Sequence, residues 1–153
     1  MENTNEMTIE FDSRSCNEGF ARVAVAAFCT QLNPTLEEVA DLKTAVSEAI
    51  TNAIIHAYDE GVHKIRIECR IVEHDLYVTV IDYGKGIADI SKAMEPLFTT
   101  RPELERSGMG FAFMEAFMDE VQVESVPGKG TTVWMKKTTG GEKKEAVWTT
   151  QSH

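Results

Sequence analysis

Apolar and polar residues switch along the chain between the two-residue period of a strand and the 3.6-residue period of a helix. Met7-Thr-Ile-Glu-Phe11 alternates and predicts a short strand. Asp12 and Ser13 are candidates to cap the helix after it. Over residues 15–32, Phe20, Val23, Ala24, Ala27, Phe28 and Leu32 recur at helical spacing, which predicts a first helix buried on that face. Asn33-Pro34 breaks it. Thr35-Leu-Glu-Glu38 then has the form of a capping box, and the second helix is predicted to run to about Tyr58. Its stripe is Val39, Leu42, Val46, Ala49, Ile50, Ala53 and Ala57, with Gly61 marking the turn out. Residues 64–71 alternate strictly and predict a strand, Glu73-His-Asp75 a hairpin turn, and residues 76–81 the antiparallel partner. Residues 83–108 read mostly as loop, with one helical turn near 90–94; a connection of that length in a compact domain is functional or disordered. A third helix is predicted over 109–118, with Phe111, Met114 and Phe117 or Met118 inward. Residues 121–125 and 131–135 form a last hairpin around Pro127-Gly-Lys-Gly130.

The fold class this implies is α+β: a single-domain sandwich in which about three helices cover one face of a mainly antiparallel sheet. Residues 1–138 would be the domain. Residues 139–153, polar and charged, would be a flexible tail. The length, 153 residues, suits one hydrophobic core. The hydrophobic content of 42% is that of a soluble globular protein, and no apolar run approaches a membrane span. The N-terminus is acidic and polar, unlike a secretory signal, so the expected location is the cytoplasm.

A net charge of −10 argues against direct nucleic-acid binding, which needs a basic footprint. Its simplest consequence is solubility; steering toward a basic protein partner is the functional alternative. Cys16, Cys29 and Cys69 are far apart, with no CxxC or Cys/His cluster to suggest zinc, and Cys29 reads as a small buried hydrophobe. The four histidines show no metal-ligand spacing.

Three short patterns can carry chemistry. Glu48 and Asn52 are four apart on the second helix, which stacks them on one face, about 6 Å apart along the axis. A carboxylate there can take a proton from an attacking hydroxyl. An amide oxygen is a hard neutral ligand suited to Mg²⁺ that keeps waters and phosphate oxygens. The same pair, taken alone, also reads as an ordinary polar i,i+4 pair at the edge of the core. Asp82 ends an apolar strand and precedes Tyr-Gly-Lys-Gly86. A carboxylate at a strand exit can accept from the exocyclic amine of adenine, and Gly84 and Gly86 allow close backbone approach or positive φ. A plain strand-ending turn has the same composition. Gly108-Met-Gly110 opens the third helix, where backbone N–H groups suit phosphate oxygens, or else merely punctuates a loop. Neither a Walker A loop nor a Rossmann fingerprint is present. The order of the patterns decides between these readings: ExxxN on a helix, DxGxG at a strand exit, a long loop, GxG at a helix start, then Gly130-Thr131 on a strand.

In that order they resemble the ATP-binding boxes of the superfamily that includes DNA gyrase B, Hsp90, histidine kinases and MutL. Ser47-Glu-Ala-Ile-Thr-Asn-Ala-Ile-Ile-His-Ala-Tyr58, Pro96-Leu-Phe-Thr-Thr100 and Glu103-Leu-Glu-Arg-Ser-Gly-Met-Gly-Phe111 closely resemble the anti-sigma-F factors of endospore formers, which are serine protein kinases. The similarity runs from about Met7 to Lys137. It implies a Bergerat-type ATP-binding fold, ATP/ADP and Mg²⁺ as ligands, and specific roles. Glu48 would be the general base, and Asn52 would hold Mg²⁺. Asp82 would bind the adenine amine with help from Thr131, while Gly84 and Gly86 shape the pocket. Residues 84–110 would be the ATP lid. Thr99, Thr100, Gly108 and Gly110 would meet the phosphates, and Arg106 would approach the γ-phosphate or the partner. Arg22 would contribute to partner contacts, or be a solvated cation on an exposed face. The Arg at 101 stands where related chains carry Lys; either is a cation. His56 reads as structural.

The implied activity is dual. A homodimer sequesters the sporulation sigma factor F, and it transfers the γ-phosphate of ATP to a serine of an anti-anti-sigma factor. The alternatives are a general-stress anti-sigma-B type kinase, a nucleotide-dependent binding module without phosphotransfer, and a histidine kinase catalytic domain. For the last, the upstream phosphoacceptor hairpin is missing from the sequence given.

Overall fold

The structure, a computed structural model, describes residues 4–57, 61–86 and 110–140. Strands β1 (Thr4–Asp12), β2 (Lys64–Val72), β3 (Asp75–Asp82), β4 (Glu120–Val126) and β5 (Gly130–Thr138) form one sheet in the order β1-β2-β3-β5-β4. Every pairing is antiparallel. Among the described residues, helices α1 (Cys16–Cys29), α2 (Leu36–Asn52) and α3 (Gly110–Phe117) accompany this sheet in an α+β architecture. The β2–β3 hairpin turns at Glu73, whose φ of 55° lies in the left-handed region.

Alternation sorts the sheet into two faces. Ile65, Ile67, Cys69 and Ile71 of β2, Leu76, Val78 and Val80 of β3, and Val133 and Met135 of β5 are buried against the helices. The intervening residues face away. On that open face Tyr77 and Trp134 are more than a third exposed. With Glu68, Arg70 and Thr79 they line a shallow recess of about 470 Å³.

The start of α2 is the capping box read in the sequence. Glu38 N–H donates to Thr35 Oγ1 (3.1 Å) and Thr35 N–H donates to the Glu38 carboxylate (2.8 Å), so two orphan donors are satisfied reciprocally. Residues 45–50 are buried without a break, because α1 and α3 pack on this helix and its apolar residues share one core with those of the sheet. Lys137 helps to fix α3: its Nζ donates to the Phe117 carbonyl at the end of α3 (2.6 Å) and lies 3.6 Å from Asp41 of α2. Beyond β5, Thr139 is fully buried, its hydroxyl donating to the His74 carbonyl, and Gly140 N–H donates to Glu38. Packing therefore continues past residue 138, where the sequence suggests the tail begins; residues 141–153 lie outside the described ones.

Three expectations need correction. The buried face of α1 is Ala21, Val25 and Cys29, continued by Leu32 in a 3₁₀ turn (Thr30–Leu32). Phe20 and Val23, expected inward, are 56% and 55% exposed, and Ala27 is exposed. Small residues four apart let the helix approach its neighbours closely, and Phe20 instead sets its ring edge-on to Phe11, with centroids 6.5 Å apart. Neither Asp12 nor Ser13 caps α1. Asp12 stays in β1 and pairs with Lys64 (2.7 Å), while Ser13 Oγ accepts from His63 N–H (3.0 Å). Finally, the α geometry of the second helix stops at Asn52, and residues Ala53–Ala57 form a π turn. Cys29 and Cys69 are buried thiols, as read for Cys29; burial pushes them up to about 11 and about 12. Among the described residues no helix is long and apolar enough to cross a membrane.

Candidate nucleotide site

The candidate site is built on the helix-covered side of the sheet. Glu48 is 9% exposed on α2, and Asn52, half-buried, comes one turn later as its last α-helical residue. The π turn after Asn52 packs against β3. A π turn adds a residue to the helical circuit and re-aims the side chains beside it, a device found often at functional sites. Asp82, the last residue of that strand, shares the buried side with Leu76, Val78 and Val80. Glu48 and Asn52 on α2 and the exit of β3 therefore lie on the same side of the sheet.

Asp82 is a buried carboxylate held by one oxygen. Its Oδ1 accepts from Gly84 N–H (3.0 Å) and Thr131 N–H (3.2 Å). Its Oδ2 has no hydrogen-bond partner among the described residues. Burial raises the acid above the usual aspartate range, while the two backbone N–H bonds oppose that rise. A buried acid with one oxygen unspent is suited to a ligand donor.

Thr131 lies opposite Asp82 in the β3–β5 register, and Ser125 lies opposite Thr131 in the β4–β5 register. The two hydroxyls are 2.8 Å apart. The turn after Asp82 interlocks with the β4–β5 turn, since Gly128 N–H donates to the Lys85 carbonyl (2.7 Å). The positive φ expected in this turn is found at Gly86 (79°), where a Cβ would come within 2.6 Å of the Val126 carbonyl oxygen. Gly130 (φ 129°) is tighter still, because a Cβ there would run into the Asp82 carbonyl. Gly130→Ala should therefore spread β3 from β5 beneath Asp82. It should lower the melting temperature and nucleotide affinity together, measured by thermal denaturation and calorimetric titration; an unchanged melting temperature would show that the strands tolerate the methyl.

Gly110 is the first residue of α3, which packs on α2. Thr99, Thr100, Arg106 and Gly108 lie outside the described residues, as do residues 87–109 of the expected lid.

A family model described as a histidine kinase-like ATPase domain matches residues 13–137. An anti-sigma F factor from Thermoanaerobacter sp. (strain X514) is 59% identical over 143 residues, covering 94% of this chain and 100% of that protein. One from Caldanaerobacter subterraneus subsp. tengcongensis is 59% identical over 140 residues, 92% of this chain and 98% of its own. The chain belongs to the anti-sigma F factors. A third, from Oceanobacillus iheyensis, is 57% identical over 134 residues, 87% of this chain and 92% of its own. The antiparallel sheet and the helices packed on it are thus the frame of a histidine kinase-like ATPase domain, and nucleotide binding belongs to that domain.

Arg22 is not a freely solvated cation. Its Nη1 lies 3.5 Å from Glu18 on the preceding turn, and its Nε is buried without a hydrogen-bond partner among the described residues. It stands between the exposed Phe20 and Val23. Ser125 escaped the sequence reading. The available signal was a polar residue closing the inward series Val121, Val123, Ser125, but only the hairpin register sets it beside Thr131.

Proposed function

We propose that this anti-sigma F factor sequesters sigma factor F and, with Mg-ATP, phosphorylates a serine of an anti-anti-sigma factor. The observation that carries the nucleotide half is the buried Asp82 carboxylate, its Oδ2 unspent among the described residues, on the same side of the sheet as Glu48 and Asn52. Asp82 accepts from the adenine amine. Gly84 and Gly86 shape the turn beside the base, and Thr131 backs Asp82. The Asn52 carboxamide oxygen would hold Mg²⁺, whose chemistry is neutralisation of phosphate charge. Glu48, one turn earlier, takes the proton of the acceptor serine hydroxyl. Backbone N–H groups at Gly108 and Gly110 receive phosphate oxygens, together with Thr99 and Thr100, and Arg106 approaches the γ-phosphate. Catalysis is then positioning and electrostatics, with no intermediate on the enzyme. The product serine gains nearly two negative charges, which weakens its docking on a protein of net charge −10.

The protein-binding half is supported by α1, where Phe20 and Val23 stand exposed beside Arg22. The open sheet face suits a second copy. It carries Arg66, Glu68, Arg70, Asp75 and Lys136 on its inner strands and Glu6, Glu10, Glu120 and Glu124 on its edge strands, with Arg66 paired to Glu68 and Lys136 to Glu120 within the chain. Two-fold related copies can set Arg70 and these paired cations against edge-strand glutamates.

The test is incubation with γ-labelled ATP and the anti-anti-sigma protein. Acid-stable label on serine is expected. Bound nucleotide without label would leave a binding module, and acid-labile label would indicate histidine chemistry. Capture of sigma factor F in preference to a general-stress sigma factor tests the partner.

A further inference from the structure

We propose that Ser125 sets the purine selectivity of this site by fixing the direction of the Thr131 hydroxyl proton. The inference rests on the reading of the Asp82 exit as a purine-binding surface. Ser125, Thr131 and Asp82 stand side by side on β4, β5 and β3, directly paired in register. Ser125 Oγ is 3.2 Å from the Gly130 carbonyl oxygen and 2.8 Å from Thr131 Oγ1. A carbonyl oxygen can only accept, and a serine has one hydroxyl proton to give. With that proton on the Gly130 carbonyl, the contact between the two hydroxyls, which the heavy-atom geometry leaves open to either donor, uses the proton of Thr131.

The consequence is that Thr131 Oγ1 offers the site lone pairs only. Asp82 beside it is likewise an acceptor, with Oδ1 occupied by the Gly84 and Thr131 backbone N–H groups. The row is therefore acceptor next to acceptor. A 6-aminopurine brings two protons on one nitrogen and can satisfy both. A 6-oxopurine brings an oxygen beside its N1–H, so that oxygen meets lone pairs. Were the Thr131 hydroxyl free to turn, it would donate to the 6-oxo group while Asp82 took N1–H, and both purines would be accepted. Ser125 need not touch the base to exclude one of them; it is a positioning residue acting through Thr131.

The experiment compares ATP with inosine triphosphate, which differs from it only at the 6-substituent and N1 proton, on the full-length protein by calorimetric titration. Wild type should prefer ATP by tenfold or more, the order of discrimination that a mispaired buried hydrogen bond provides. Ser125→Ala should narrow that ratio about tenfold, chiefly by tightening the inosine nucleotide. Ser125→Thr keeps the hydroxyl and should restore the wild-type ratio. Thr131→Val, which removes the lone pairs instead, should narrow the ratio from the other side and serves if Ser125→Ala does not fold. A ratio unmoved in Ser125→Ala, or equal weakening of both nucleotides with a lowered melting temperature, would overturn the role of Ser125. Failure of the wild-type protein to bind ATP would strike the nucleotide reading itself, a result distinct from binding with an unmoved ratio.

Discussion

Glu48→Gln is expected to leave ATP affinity within about threefold of wild type and to cut serine phosphotransfer by roughly 10²–10⁴-fold, the usual contribution of a positioned base. Glu48 lies within a stretch of α2 buried from residue 45 to 50, so its side chain is held by packing. Glutamine has the same shape and one of the same acceptor oxygens, and the helix should form and pack unchanged. What it lacks is a basic oxygen able to receive the serine proton. Binding and chemistry should therefore separate: equilibrium titration reports the first, and label transfer at saturating ATP the second. Retained turnover would remove Glu48 as base. Loss of ATP binding alongside activity would assign it to holding the nucleotide instead.

Asp82→Asn is expected to move two measurements in opposite directions. Nucleotide affinity should fall about 10²–10³-fold, because the amide places N–H donors where Oδ2 accepts, and a buried donor facing the adenine amine is left unpaired. The ligand-free fold should melt at the same temperature or higher. Burial raises the Asp82 acid above its ordinary value, so the folded chain binds this proton more readily than the unfolded chain does. Ionised Asp82 therefore lowers stability as pH rises from the ordinary aspartate range through the raised folded value. Asparagine has no such dependence, and its Oδ1 still accepts from Gly84 and Thr131. By the same sign, wild-type ATP affinity should weaken as pH falls through the folded value of Asp82, while the apo fold gains stability over that interval. A variant that destabilises the apo protein and leaves ATP affinity unchanged would make Asp82 a structural turn residue, the other reading of Asp-Tyr-Gly-Lys-Gly.

Helices α1 and α2 differ in how far their sequences reveal their packing. Thr35 and Glu38 cap each other across three residues of one chain segment, so the capping box is a local property. The strands over 64–72 and 75–82 are similarly local, since strict alternation admits one assignment of faces once one side must be buried. On α1, Phe20 and Val23 mark the wrong face, while Phe28 packs on the core as its spacing predicts. Ala21, Val25 and Cys29 go inward because the neighbouring elements lie too near for phenylalanine, and Phe20 is left at the rim against Phe11. The π turn after Asn52 is no more legible. Ala53 and Ala57 are four apart, as an α-helix would also place them.

The sequence by itself determined the α+β class, the order of ATP-box patterns, the cap of α2 and the membership of a kinase-like anti-sigma family, because each is carried by residues close together in the chain or by motif identity. Tertiary structure alone decided which face of α1 is buried, that among the described residues one oxygen of Asp82 is occupied and the other unspent, and that Ser125 touches Thr131. Those facts depend on the β3–β5–β4 pairing. That pairing joins residues 82 and 131, almost fifty positions apart, and no period within a short window can record such a contact.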